Sequence, residues 1–207
     1  QIVIGDVVTI AGMRSVAEQA NAIGRFDAVI HNVGIGYREA RRLETRDGLS
    51  HLFAINVLAP YLLTALMERP DRLVYLSSGM HPGGIPDMDD LQWTRRRWSG
   101  SQAYAETKFL DVLLAFGMAR RWPAVRSNAL EPGWVPTRMG GPGAPDDMAA
   151  APVTQAWLAV GDDPATRVTG RYFYHQREKS PEPSTRRVGL QEALLDRCAT
   201  LSGVPLP

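Results

Sequence analysis

The 207 residues include 44% hydrophobic and 22% charged side chains, with 23 basic residues against 22 acidic ones. This composition suits an ordinary globular chain long enough to bury a sizeable core without disulfides or metals, and it excludes a disordered or membrane-embedded class. A formal net charge of +1 gives no global field for nucleic acid or anionic membrane, and the lone Cys198 excludes an intrachain disulfide. With no run of 18 apolar residues, neither a transmembrane segment nor a signal peptide is expected, and the setting reads as cytoplasmic.

In chain order, strand-like apolar runs predict strands at Gln1 to Val8, Phe26 to Val33, Arg72 to Ser77, Ser127 to Glu131 and Arg171 to His175. Helical spacing falls over Ser15 to Ile23, Arg46 to Met67, Gln102 to Arg121, Pro152 to Val160 and Leu190 to Ser202, with Gly24 and Pro123 as stops. Strands alternating with helices imply βαβ units. The expected fold is therefore α/β, a mostly parallel sheet covered on both faces, with residues 1–207 forming one domain. The Gly-, Pro- and Asp-rich stretches Met80 to Gln92 and Pro132 to Asp147 predict long loops at the carboxyl ends of strands, where open α/β sheets bind ligands. Lys179 to Arg187 reads as a connector to the last helix. The clusters Arg41–Arg42 and Arg95–Arg97 read as solvated faces, and Cys198 as a small packing residue. His31 and His81 lack a partner spacing suited to metal, so structural or exposed roles are expected and no zinc.

The decisive local feature is Tyr104-Ala105-Glu106-Thr107-Lys108, because residues four apart on a helix share one face. A nearby ammonium favours the phenolate and lowers a pKa that is ordinarily about 10, which suits a tyrosine that must give or take a proton as a carbonyl is reduced. Only two of the 23 basic residues are lysines, Lys108 and Lys179. Where arginine is the default cation, a lysine points to a site that needs a compact ammonium. Phe109, Leu110, Val112, Leu113, Leu114, Phe116 and Met118 make the same helix apolar nearly all round, so it is expected to pack on the sheet with one side and on another subunit with the other.

Four further motifs stand in order around this pair: Asn32-Val33-Gly34 after a strand, Asn56 within Phe53-Ala54-Ile55-Asn56-Val57, Ser78 closing Leu73 to Ser78, and Pro132-Gly133-Trp134-Val135-Pro136-Thr137. Together with Tyr104 and Lys108 they resemble the motifs of the short-chain dehydrogenase/reductase family, with Val33 in place of that family's alanine, across essentially the whole chain. The resemblance implies a Rossmann-like doubly wound fold and a set of roles. Tyr104 exchanges a proton with the reacting oxygen, Ser78 positions that oxygen, Lys108 lowers the tyrosine pKa and contacts the ribose, and Asn56 supports a proton relay. Asn32, Gly34, Pro132, Gly133, Val135 and Thr137 would line the cofactor groove, and Asp6, ending the first strand, is similar to the family aspartate near the adenine. The implied cofactor is NADP or NAD, with NADP preferred from the long loop after Ser78. The implied partners are a small carbonyl or alcohol substrate and other copies of the chain, as a homodimer or homotetramer. Trp93, Trp98, Trp134, Met80 and Met139 are candidates for an apolar substrate pocket.

One departure from the family pattern is plain. No glycine-rich turn between a strand and a helix N-terminus precedes Asp6, although such a turn normally cradles the pyrophosphate. The first strand, helix and second strand of the family fold therefore read as absent, leaving the strand at Phe26 to Val33 with an unpaired edge. The alternatives are a non-redox catalyst, such as a cyclase, isomerase or dehydratase, and a non-catalytic subunit that has lost dinucleotide binding.

Overall fold

The computed structural model describes residues 1–207, built on one five-stranded sheet in the order β1-β2-β3-β4-β5. Strands β1 (Ala28–His31), β2 (Arg72–Leu76), β3 (Arg126–Glu131) and β4 (Tyr172–Tyr174) run parallel, and the short β5 (Arg177–Glu178) returns antiparallel against β4. The four parallel strands match the sequence expectation to within a residue or two at each end. The hairpin to β5 was not expected; it turns through His175 and Gln176, both with positive φ.

Alternation along the strands divides the core. Leu73 and Tyr75 of β2 join a large apolar cluster with Phe109, Leu110 and Leu113, whereas Val74 packs with Leu130, Leu158 and Phe173 on the opposite face. Helices α1 (Ile10–Ile23), α3 (Ala59–Leu66) and α4 (Gly100–Arg121) belong to the first side, and α5 (Val153–Val160) covers the second. The sheet is thus covered on both faces, as in doubly wound α/β folds.

Helix α4 is buried from Ala103 to Met118. Its inner side lies on β2 and β3, and its outer side is covered by α6 (Val188–Ser202) of the same chain. The outer side expected to meet another subunit is therefore already occupied. The helix expected over Arg46 to Met67 starts later, because Asp47 and Gly48 (φ 75°) form a turn and Glu44 bridges to Ser50. It begins as α2 (His51–Phe53), widens into a π-helical segment (Ala54–Leu58) and continues as α3. π-helical turns embedded in α-helices recur at functional sites, and this one contains Asn56.

The strand expected at Gln1 to Val8 does not form. A strand needs a hydrogen-bonded neighbour, and these residues have none; the sheet ends at β1, which pairs only with β2. Ile2 and Ile4 are 87% and 80% exposed, and Asp6 turns the chain by accepting the Val8 amide on its own carboxylate at 2.9 Å. Helix α1 then starts at its Thr9 cap, whose hydroxyl accepts the Gly12 amide.

His31, on the edge strand, is buried with its Nε2 2.9 Å from the Thr64 hydroxyl, which in turn meets the Tyr75 hydroxyl. Burial lowers its pKa from 6.5 to about 4. The unfolded chain therefore takes up a proton that the folded chain refuses between those values, so stability is full above pH 6.5 and declines as pH falls toward 4. Urea midpoints measured across this range should fall with acidification, and His31→Asn should flatten that part of the curve.

Candidate active site

Four candidate residues converge at the carboxyl ends of β1 and β2 because α4 is tied to β2 there. The Lys108 ammonium donates to the Leu76 carbonyl at 2.8 Å and to the Asp111 carboxylate at 2.8 Å, and the Ser77 hydroxyl donates to the Lys108 carbonyl at 2.7 Å. Ser78 follows directly. Its Oγ accepts the Met80 amide at 3.2 Å, which leaves its proton uncommitted. Tyr104 lies one turn before Lys108, whose Nζ is 5.8 Å from the centre of the phenol ring. The Tyr104 backbone carbonyl accepts the Thr107 hydroxyl, while its phenolic hydroxyl has no hydrogen-bond partner within the chain.

Asn56 sits opposite, on the π-helical segment. Its Oδ1 accepts the Ile35 amide at 2.9 Å, and its Nδ2 donates to the Ile35 carbonyl and the Thr107 hydroxyl. These bonds pin the loop after β1 against α4. In that loop a Cβ on Gly34 would lie 3.5 Å from Asn56 Oδ1 and 3.7 Å from Lys108 Nζ, so the floor beside the ammonium is bare of side chain. Asn32, at the exposed end of β1, donates its amide to Ile30.

Asp111 was not anticipated from the sequence, although an acid three residues beyond Lys108 on an apolar helix was the available signal. Both partners are buried. Burial works to lower the Lys108 pKa, but the Asp111 carboxylate outweighs it and holds the ammonium above the ordinary lysine range, with help from Tyr104. Burial pushes the Asp111 carboxyl up to about 6, against the opposing pull of Lys108. The pair is ionised at neutral pH.

An apolar wall surrounds the phenol. Leu52, Trp93, Ala103 and Tyr104 form a buried cluster flanked by Ile35, Tyr37, Trp98 and Met139. The Tyr37 ring meets Tyr104 edge-on at 5.6 Å, and its hydroxyl donates to the Met139 carbonyl. Trp93, Trp98 and Met139 are thus placed beside Tyr104 as expected. Trp134 and Met80 are not in this cluster; Trp134 is 55% exposed and bonded within its own loop to Gly140. Tyr37 carried no sequence signal.

Trp93 holds a left-handed backbone (φ 54°) that a bulky residue adopts only under constraint. The constraint is visible. Its indole donates to Glu106 at 3.0 Å and stacks 3.9 Å under Arg96, which also bonds both Glu106 oxygens and Asp90. Arg96, expected on a solvated face, instead ties the loop before α4 to α4 itself.

The Pro-Gly loop leaves β3 as expected. Gly133 has φ 94°, and a Cβ there would lie 2.6 Å from the Asp146 carboxylate. Val135 and Thr137 form a tight turn in which the Thr137 amide reaches the Val135 carbonyl and the Thr137 hydroxyl accepts the Gly140 amide. Pro132 is half-buried at the strand end. Asp6 is not at the end of any strand, since that strand does not exist. A cleft of about 510 Å³ lies at the amino ends of the strands among Asp27, Asp71, Arg72 and Arg126, remote from these residues. No helix is long and apolar enough to cross a membrane.

A family model described as enoyl-(acyl carrier protein) reductase matches residues 1–167. The whole chain is 41% identical to an uncharacterized oxidoreductase of Emericella nidulans and 36% identical to a short-chain dehydrogenase of Penicillium rubens, covering 80% of each. The chain belongs to the short-chain dehydrogenase/reductase family. The fold is shared with a crystal structure of an uncharacterized protein from Mycobacterium paratuberculosis at a TM-score of 0.80 and 24% identity, over 98% of this chain and 75% of that one. As a member of this family the chain is an oxidoreductase of the nicotinamide-dependent type.

Removing one partner of a buried ion pair leaves a charge without compensation, at a cost of about 3–5 kcal/mol. Asp111→Leu should therefore lower unfolding stability by about that amount in urea titration, whereas Asp111→Asn, which keeps an acceptor for Lys108, should lose markedly less.

Proposed function

We propose that this short-chain dehydrogenase/reductase reduces an apolar or aromatic carbonyl, or oxidises the corresponding alcohol, with Tyr104 as the proton donor or acceptor. The observation that carries the reading is the uncommitted Tyr104 hydroxyl, set in an apolar wall of Tyr37, Trp93, Trp98 and Met139 beside a buried ammonium. A carbonyl oxygen entering this wall finds two hydroxyl groups free to donate, those of Tyr104 and Ser78. Two donors aimed at one oxygen stabilise the charge that develops there as carbon is reduced.

The residues present fit the nicotinamide-ribose half of a dinucleotide. The bare floor at Gly34 lies beside the Lys108 ammonium, whose other protons are held by Leu76 and Asp111. Lys108, Asn32 and Gly34, with Pro132, Gly133, Val135 and Thr137 across the groove, would hold that half. When bound, the nicotinamide supplies or accepts the hydride. NADP is preferred over NAD, on the resemblance that the sequence carries. Asn56 acts through position, fixing the loop after β1 to α4. Asp111 keeps the ammonium charged and aimed at the groove floor. A homodimer or homotetramer would assemble through a surface other than α4, whose outer side α6 occupies.

The test follows NADPH consumption with a panel of aromatic and aliphatic ketones and aldehydes. Carbonyl-dependent turnover is expected. Removing a general acid costs about 10²–10⁴-fold, so Tyr104→Phe should lower kcat by that factor with KM changed little. A Tyr104→Phe enzyme that turns over at the parent rate, or carbonyl conversion that persists without any dinucleotide, would overturn the reading.

A further inference from the structure

His81 lies in the 3₁₀ turn His81–Gly83 that follows Ser78, and it is 1% exposed. Both of its ring nitrogens are committed. Nδ1 is 2.8 Å from the Ser78 backbone carbonyl, which can only accept, so Nδ1 carries the proton. Nε2 is 3.1 Å from the Glu182 backbone amide, which can only donate, so Nε2 offers its lone pair. Two independent contacts select the same neutral tautomer. The Tyr172 ring stacks at 4.7 Å, and its hydroxyl also reaches the Ser78 carbonyl at 3.3 Å. That carbonyl receives the His81 backbone amide as well, at 3.0 Å.

The same turn presses on the catalytic helix. A Cβ on Gly84 would lie 2.1 Å from the Ala105 carbonyl, so only glycine lets the turn rest against the residue next to Tyr104. Gln102 of α4 donates to the Gly83 carbonyl at 2.9 Å. The turn therefore touches Ser78 at one end and the helix of Tyr104 at the other, and His81 fastens it to the connector before α6.

We propose that His81 is a positioning residue that fixes Ser78 relative to Tyr104, and that its neutral Nδ1–H tautomer links this alignment to the docking of the connector at Glu182. A proton added to Nε2 would face the Glu182 amide hydrogen, donor against donor, so acidification releases the connector and loosens Ser78. The groups that set this protonation surround the ring: Tyr172 on β4, Glu131 ending β3, Lys179 paired with Glu131, and Glu182 of the connector. Burial lowers the His81 pKa, opposed by the Ser78 carbonyl and the Glu131 carboxylate, reinforced by Lys179 and opposed again by Glu182. The alignment is thus complete at neutral pH and is lost below the ordinary histidine range.

This inference rests on the proposed carbonyl reduction for its kinetic consequence, but its geometry can be tested without turnover. Long-range ¹H–¹⁵N spectra of the full chain, labelled in histidine, should show His81 as the Nδ1–H tautomer. The protection factor of the Glu182 amide, its exchange taken relative to the intrinsic rate at each pH, should fall on acidification together with His81 protonation. An Nε2–H tautomer, or Glu182 exchange independent of His81, would overturn the proposal whether or not the enzyme reduces carbonyls. In kinetics, misplacing a group by a fraction of an ångström to an ångström costs on the order of 10–100-fold. His81→Phe should lower kcat by about that factor with KM within about threefold. His81→Asn, whose amide can still donate to Ser78 but does not titrate, should recover most of the loss and show a weaker decline of kcat toward acid pH. An Asn variant with the parent acid limb, or a Phe variant with the parent kcat, would sink the positioning role.

Discussion

The interaction on which the rest of this structure turns is the grip of a buried ammonium on the end of a strand. Lys108 binds the Leu76 carbonyl and the Asp111 carboxylate in one place, and Ser77 returns a bond to the backbone of Lys108. A charge in an apolar interior is tolerated only when paired and hydrogen-bonded, so this helix register is favoured over a slip by one residue, which would strand the ammonium. Once α4 is locked to β2, Ser78 and Tyr104 are held at the same end of the sheet. The loop after β1 follows, because Asn56 and Thr107 hold Ile35 against the same helix.

Much of this was legible in the sequence because it depends on periodicity and on rare residues. Four parallel strands announced themselves as short apolar or aromatic runs between helical patterns, and the scarcity of lysine marked out Lys108. The failures have physical causes as well. Gln1 to Val8 has strand composition, but composition cannot supply a hydrogen-bonding neighbour, and Asp6 accordingly makes a turn rather than ending a strand. The outer side of α4 is apolar, yet apolarity does not say whether a second subunit or a later segment of the same chain will cover it. Here α6 does so.

The candidate site divides along the same line. Tyr104, Lys108, Ser78 and Asn56 were readable from spacing and order, whereas their supports were not. Arg96 looked like part of a solvated cluster, since its pairing with Glu106 depends on a loop whose path no local pattern encodes. Tyr37 reaches Met139 across a sequence separation of 102 residues, and such a contact leaves no trace in either segment. Buried acids on an apolar helix were the one overlooked signal: Glu106 and Asp111 both sit on α4 where a charge requires a partner.

The covering of α4 by α6 bears on the order in which the molecule becomes itself. Every side chain proposed for the chemistry belongs to the chain before β4, but the far end of the helix that carries Tyr104 and Lys108 is covered by a helix made much later, with Leu195 against Gly117 and Glu192 paired with Arg121. A nascent chain extended as far as β4 would hold all of these residues while that flank of its central helix was still wet. The docking of α6 therefore completes the apolar surroundings of α4, so the last helix made finishes the packing of one made much earlier.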